Sequence, residues 1–292
     1  MRLRSNWVPG AAVLTLALAA GQATGAAPLG PGGKYVAMGS SFAAGPGIGA
    51  PADTPPTRCA RSADNYAHQL ARKRGLTLVD VSCSGATTRD VLGPWNELPA
   101  QIEALTPDTA LVTVTVGGND VGFSTGLVLT SCDLEGAKVA EDVAKMCAAF
   151  RDFSRRSARG ASDDEAAWKA VEAGLSGIAR EVRRRSPKAK LVYVDYIRVV
   201  PTNDPCAAMP LPEAAAKRAR AVEVRLAELT AQVARRSGAQ VVKASELSAD
   251  HKACDKVSWS SPFVVPPKSV PYHPDLAAMT AIADALDVAL GR

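Results

Sequence analysis

Leu111-Val112-Thr113-Val114-Thr115-Val116, closed by Gly117-Gly118-Asn119-Asp120, is the stretch that decides the fold. A continuous run of Leu, Val and Thr, uninterrupted by any charged residue, fits a strand covered on both faces, and such strands belong to parallel sheets. Similar runs lie on either side. Tyr35-Val36-Ala37-Met38 ends at Gly39, and Leu76 to Val81 forms a second run. Leu191-Val192-Tyr193-Val194 and the shorter Gln240-Val241-Val242 complete a set of five. Helical patterns separate them, at about Asn65 to Arg74, Glu165 to Arg185, Glu213 to Arg236 and Pro274 to Leu290. In the third of these, Ala221, Val222, Val224, Leu226, Leu229 and Val233 recur with helical spacing among charges. Strand–helix alternation predicts one α/β domain with a mostly parallel five-stranded sheet.

In such a sheet, ligands bind beyond the carboxyl ends of the strands. Gly39-Ser40-Ser41-Phe42-Ala43-Ala44-Gly45 follows the first strand, Ser82-Cys83-Ser84-Gly85-Ala86-Thr87-Thr88 the second, and Gly117-Gly118-Asn119-Asp120 the third. Tyr272-His273-Pro274-Asp275 opens the last helix. Acyl transfer needs a nucleophile, a base, and donors aimed at a developing oxyanion. Ser41 supplies a hydroxyl, and His273 a base whose ordinary pKa lies near neutrality. The backbone near Gly85 and the amide of Asn119 supply uncharged donors. Taken alone, Ser41 reads as an N-cap, Gly85 as a turn and Asn119 as a cap; together they read as a site. Asp120 reads as structural, capping the segment after it. His68 reads as structural and His251 as solvated.

Other motifs fit less well. Gly45-Pro46-Gly47-Ile48-Gly49-Ala50 has the spacing of a dinucleotide fingerprint, but its proline and its distance from the strand count against one; it reads as a loop near the site. An α/β-hydrolase elbow needs glycine where Ala43 and Ser82 stand. A non-catalytic protein that recognises lipid or carbohydrate on the same scaffold is the rival from another class.

The four segments, in this order, resemble those of the SGNH (GDSL-like) hydrolase family, from about Lys34 to Leu290. Gly39 to Gly45 is similar to its Gly-Asp-Ser-x-x-x-Gly start, and Gly117-Gly118-Asn119-Asp120 to its Gly-x-Asn-Asp. The resemblance implies a flavodoxin-like three-layer α/β/α sandwich and ester hydrolysis without cofactor or metal. It makes Ser41 the nucleophile, His273 the base, and Ser41, Gly85 and Asn119 the oxyanion hole. Two positions depart from the pattern: Ser40 stands where aspartate is usual, and Val270 where an aspartate often orients the histidine. The expectation is therefore a Ser41–His273 dyad with a main-chain carbonyl, from Val270 or a close neighbour, orienting the imidazole. The implied substrate is a carboxylic ester, small or lipid. A phospholipid or an acetylated carbohydrate is the alternative.

Residues 1–26 read as a signal peptide. Arg2 and Arg4 precede the apolar run Val13 to Ala20, and small residues from Gly21 to Ala27 offer cleavage near 25–27. The mature domain is then 27–292, secreted, and without a membrane anchor. Without Arg2 and Arg4, 32 basic residues stand against 29 acidic ones, too small an excess to suggest nucleic acid. The arginines of 183–185 read as a solvated helix face. The six cysteines suit an oxidising compartment. None has CxxC spacing and the chain has three histidines, which argues against zinc. Their number leaves the pairing open, and the simplest choice is sequential: Cys59–Cys83, Cys132–Cys147 and Cys206–Cys254. Three local disulfides also resemble those of secreted actinobacterial members of the family. Ser124 to Ser162 breaks the strand–helix rhythm and holds two cysteines, so an insertion pinned by a disulfide is expected there. With Trp259 to Val270 it is expected to shape an acyl pocket. The molecule is expected to be a monomer.

Overall fold

Strands β1 (Lys34–Gly39), β2 (Thr77–Asp80), β3 (Thr109–Thr115), β4 (Lys190–Val194) and β5 (Gln240–Val242) form one parallel sheet in the order β2-β1-β3-β4-β5. The structure is a computed structural model that describes Met1 and residues 29–135, 140–156, 164–202, 206–265 and 269–291. Apart from Met1, the expected signal segment lies outside the described residues. The helices are α1 (Ser41–Ala44), α2 (Tyr66–Arg74), α3 (Thr88–Leu92), α4 (Phe123–Glu135), α5 (Glu141–Arg156), α6 (Glu165–Arg185), α7 (Glu213–Ser237), α8 (Ala244–Leu247) and α9 (Leu276–Leu290). The strand order is that of flavodoxin-like sheets, whose ligand crevice lies at the carboxyl ends of the strands flanking the order reversal, here β1 and β3.

Burial follows the sequence pattern. Every residue of β3 is buried, and so are five of six in β1, whereas the edge strands β2 and β5 are partly exposed. Helices α2 and α9 pack on each other, tied at their surface by Arg74–Asp287 and Lys73–Asp284 at 2.6 and 3.0 Å. Helices α3, α6 and α7 form the second packed group. The result is the expected three-layer sandwich.

Cap chemistry sets the helix ends. Asn65 accepts from the His68 N–H, and Asp164 from that of Ala167. The last helix begins at Leu276 rather than at Pro274, because Asp275 is extended and its carboxylate accepts the Ala278 N–H. Helices α1, α3 and α8 are too short to leave a periodic signal.

In the segment expected as an insertion, Ser124 to Ser162, lies the hairpin of α4, which starts one residue earlier at Phe123, and α5, cross-linked by Cys132–Cys147; residues 136–139 and 157–162 lie outside the described residues. The other disulfides are Cys59–Cys83 and Cys206–Cys254.

The turn after β1 is a close backbone approach. Gly39 has φ +139, and a Cβ there would lie 2.3 Å from the Thr115 carbonyl oxygen, so no side chain fits. Buried Gln101 holds this residue on both sides: its Oε1 accepts the Gly39 N–H at 2.7 Å and its Nε2 donates to the Gly39 carbonyl at 3.0 Å. Gln101→Leu leaves that N–H without its buried partner and removes one of the carbonyl's donors. It should cost about 2–4 kcal/mol in a urea unfolding titration; an unchanged midpoint would mean the clamp is dispensable.

Candidate active site

Ser41 is the first residue of α1, delivered by the Gly39 turn through the extended Ser40. The β1 ladder ends where Ser40 N–H donates to the Thr115 carbonyl at 2.8 Å, so Ser41 stands at the carboxyl end of the two central strands. It is buried, as is His273.

His273 reaches it from the far end of the chain. Its loop is laced to Trp259–Ser261 by three backbone hydrogen bonds of 2.9 Å: Tyr272 N–H to Ser261, Ser261 N–H to His273, and Asp275 N–H to Trp259. His251, expected to be solvated, stacks on Trp259 at 4.0 Å and so backs this loop. Tyr272 is fully buried and left-handed, with φ +61, and its hydroxyl pairs with Ser131 of α4 at 2.6 Å. The loop and the inserted hairpin are thereby joined.

The imidazole makes two hydrogen bonds of 2.8 Å, from Nε2 to Ser41 Oγ and from Nδ1 to the Pro271 carbonyl. A carbonyl only accepts, so Nδ1 carries the proton and Nε2 offers its lone pair to the hydroxyl. The orienting carbonyl, expected from Val270 or a close neighbour, is that of Pro271, the next residue along. The left-handed turn at Tyr272 folds the Pro271 carbonyl back over the ring, and Val270 lines the cavity instead. Burial depresses the His273 pKa to about 4, with the Pro271 carbonyl opposing the shift.

Gly85 and Asn119 line the same cavity as Ser41 and His273. Asn119 Nδ2 donates to the Ala86 carbonyl at 2.9 Å, which fixes the amide and binds the second segment to the third. Asp120, expected to cap the segment after it, instead reaches across to the first turn of α3. It accepts from Thr88 Oγ1 at 2.6 Å and from the Thr88 N–H at 3.1 Å. A carboxylate there meets the exposed amides at the start of a helix. His68 is structural: its Nδ1 lies 3.1 Å from Asn65 Oδ1 and 3.5 Å from Asp80.

The cavity has a volume of about 620 Å³. Phe150 and Phe153 of α5 form part of its wall, as do Trp95 and Val270. Phe153 lies over Gly85, with its ring 2.9 Å from the point a Cβ would occupy. Pro46, in the glycine-rich loop, adds to the lining.

The sequence reading missed Tyr196. Its buried hydroxyl pairs with Ser40 Oγ at 2.9 Å and accepts the Gly118 N–H at 3.0 Å. Its ring meets Phe42 at a 45° tilt with centroids 4.6 Å apart, and Phe42 in turn meets His273 at 4.9 Å. Gly118 must be glycine here, because a Cβ would come within 2.7 Å of the Tyr196 ring. Tyr196 therefore ties the residue before Ser41 to the residue before Asn119. It follows β4 by two positions and so lies beyond a strand's carboxyl end, as the three expected segments do.

Against known proteins, residues 37–281 match the model of the GDSL-like lipase/acylhydrolase family. Lipase 2 of Streptomyces coelicolor is 32% identical over 283 residues, covering 94% of this chain and 92% of that protein. Two solved structures, phospholipase A1 from Streptomyces albidoflavus and the extracellular lipase from Streptomyces rimosus, each superpose with a TM-score of 0.66 at 26% identity. Each comparison covers 88% of this chain and 99% of the other. Among the described residues no helix is long and apolar enough to cross a membrane.

Tyr196→Phe deletes one hydroxyl that serves two segments. It should slow the labelling of Ser41 by a fluorophosphonate probe about tenfold, as expected for the loss of roughly 1–1.5 kcal/mol of buried hydrogen bonding. Labelling at the original rate would show that the hydroxyl does not position the serine.

Proposed function

The chain belongs to the GDSL-like lipase/acylhydrolase family and is a carboxylic ester hydrolase; from that premise we propose that it is a secreted serine esterase or lipase working through an acyl-enzyme on Ser41. The observation that carries this reading is the Pro271–His273–Ser41 relay, in which one imidazole tautomer faces the hydroxyl with its free lone pair.

In this mechanism Ser41 Oγ attacks the ester carbonyl carbon while His273 Nε2 takes its proton. The carbonyl oxygen becomes an oxyanion held by the Ser41 N–H, the Gly85 N–H and Asn119 Nδ2. The first belongs to a helix-start position that has no intrahelical acceptor. The third is a two-hydrogen amide with one hydrogen engaged by Ala86. The imidazolium then protonates the departing alkoxide as the ester C–O bond breaks, leaving the acyl group on Ser41. Water, deprotonated by the same nitrogen, repeats the sequence and releases the acid. The Pro271 carbonyl dipole steadies the imidazolium, less strongly than a carboxylate does.

Phe150, Phe153, Trp95 and Val270 suit an acyl chain, so the inserted hairpin is assigned to the acyl pocket. A signal peptide over residues 1–26, three disulfides and a mature domain from residue 27 fit export.

Ser41→Ala should fold normally and lose hydrolysis of p-nitrophenyl butyrate by a factor of about 10³ or more. Equal activity in the two proteins would refute the assignment. His273 acts as a base only when neutral, and its folded pKa is depressed. Its active form should therefore persist on acidification well below the usual imidazole range, and kcat/KM should fall only as pH drops through about 4. An acid limb centred near 6.5 would contradict the buried dyad.

A further inference from the structure

The catalytic cavity has full charges at one place on its wall. Arg58 and Glu97 line it, bonded to each other from Nε to Oε1 at 2.6 Å. Arg58 also lies over Trp95, 4.0 Å from the ring centroid, and its Nη2 donates to the Trp95 carbonyl at 3.0 Å. Two of the five guanidinium N–H donors are thus engaged, and among the described residues the other three meet no protein acceptor. An ion pair this exposed, at 36% and 64%, contributes little to stability. What the arrangement does supply is a guanidinium held in place before any ligand arrives, next to a carboxylate that stays charged because the arginine lowers its pKa.

A second observation points to a ligand at the same wall. Ser84, adjacent to Gly85, lines the cavity, and its hydroxyl is buried without a hydrogen-bond partner among the described residues. Its N–H donates to the Cys59 carbonyl at 3.1 Å, and the Cys59–Cys83 disulfide closes the link, so Ser84 and Arg58 are adjoining parts of one rigid corner. A buried hydroxyl left unpaired loses free energy unless a bound molecule satisfies it.

We propose that Arg58, Ser84 and Glu97 form a head-group subsite for a zwitterionic phosphodiester. The phosphate is held by Arg58 and Ser84, the cationic amine lies beside Glu97, and glycerophospholipids are accordingly among the esters this chain hydrolyses. The arginine's free donors match phosphate oxygens, and the serine hydroxyl donates a further bond. Glu97, released in part from Arg58 by the competing phosphate, faces the amine. The acyl chain meets Phe150 and Phe153, which line the same cavity, with its ester carbonyl at Ser41. The proposal rests on the assignment of Ser41 and His273 and adds the class of alcohol that leaves.

The test compares kcat/KM on phosphatidylcholine and on phosphatidylglycerol in mixed micelles, each relative to p-nitrophenyl butyrate. It also compares glycerophosphocholine with glycerol as an inhibitor of p-nitrophenyl butyrate hydrolysis. The wild-type chain should hydrolyse phosphatidylcholine and be inhibited competitively by glycerophosphocholine at concentrations where glycerol has no effect. Arg58→Leu should lower the phosphatidylcholine ratio and weaken that inhibition about tenfold each, with Ser84→Ala acting in the same direction. Glu97→Gln should lower the ratio more for phosphatidylcholine than for phosphatidylglycerol, which has no amine. If Arg58→Leu does not fold, the Ser84→Ala and Glu97→Gln ratios decide. Absence of phosphatidylcholine hydrolysis, unchanged ratios, or equal inhibition by glycerol would each overturn the subsite. Survival of p-nitrophenyl butyrate hydrolysis in Ser41→Ala would instead overturn the catalytic assignment, whatever the ratios.

Discussion

One backbone carbonyl governs the state of the site. Pro271 accepts from His273 Nδ1, and by doing so decides which ring nitrogen faces Ser41 as a lone pair. Were the tautomer reversed, Nε2 would donate rather than accept, and the serine hydroxyl would lose its acceptor. A carbonyl makes this choice without adding a charge to a buried pocket, where an unpaired carboxylate would be costly. The same burial keeps the imidazole neutral far below its usual range. The loop that presents Pro271 is correspondingly well tied, by its ladder to Trp259–Ser261, by the Tyr272–Ser131 bond and by the His251–Trp259 stack.

Rigidity at the other strand ends comes from buried and half-buried polar side chains that bridge segments. Gln101 clamps Gly39, Tyr196 joins Ser40 to Gly118, Asp120 caps α3, and Asn119 holds Ala86. Each bond satisfies a group whose burial would otherwise be penalised, so the network constrains geometry as well as adding stability. Serine at position 40 fits this scheme. Its short neutral hydroxyl meets Tyr196 in a pocket of 0% exposure, where a carboxylate would need further donors.

The inserted hairpin contributes to the cavity wall as well as to the core. Its α5 brings Phe150 to the cavity and Phe153 over Gly85, while α4 is fastened to the His273 loop through Ser131. The Cys132–Cys147 bridge closes a separation of 15 residues and holds the two helices to each other. The aromatic wall of the cavity and the loop that carries His273 are therefore mechanically linked.

The α/β class, the five strands and the blocks around Ser41, Gly85, Asn119 and His273 were legible in the chain, because hydrophobic runs and short motifs are local properties. Helix termini and the carbonyl at Pro271 were less so, since they turn on single capping bonds and on one left-handed residue, Tyr272. Gln101 and Tyr196 carry no local signature for their roles. They act across 62 and 156 residues of sequence, and such contacts exist only once the sheet has set its register. Residue types and their order thus determined which chemistry the chain is equipped for. The packing of distant segments alone decided which nitrogen, which carbonyl and which hydroxyl would meet, because hydrogen bonds depend on ångström-scale geometry that no local pattern encodes.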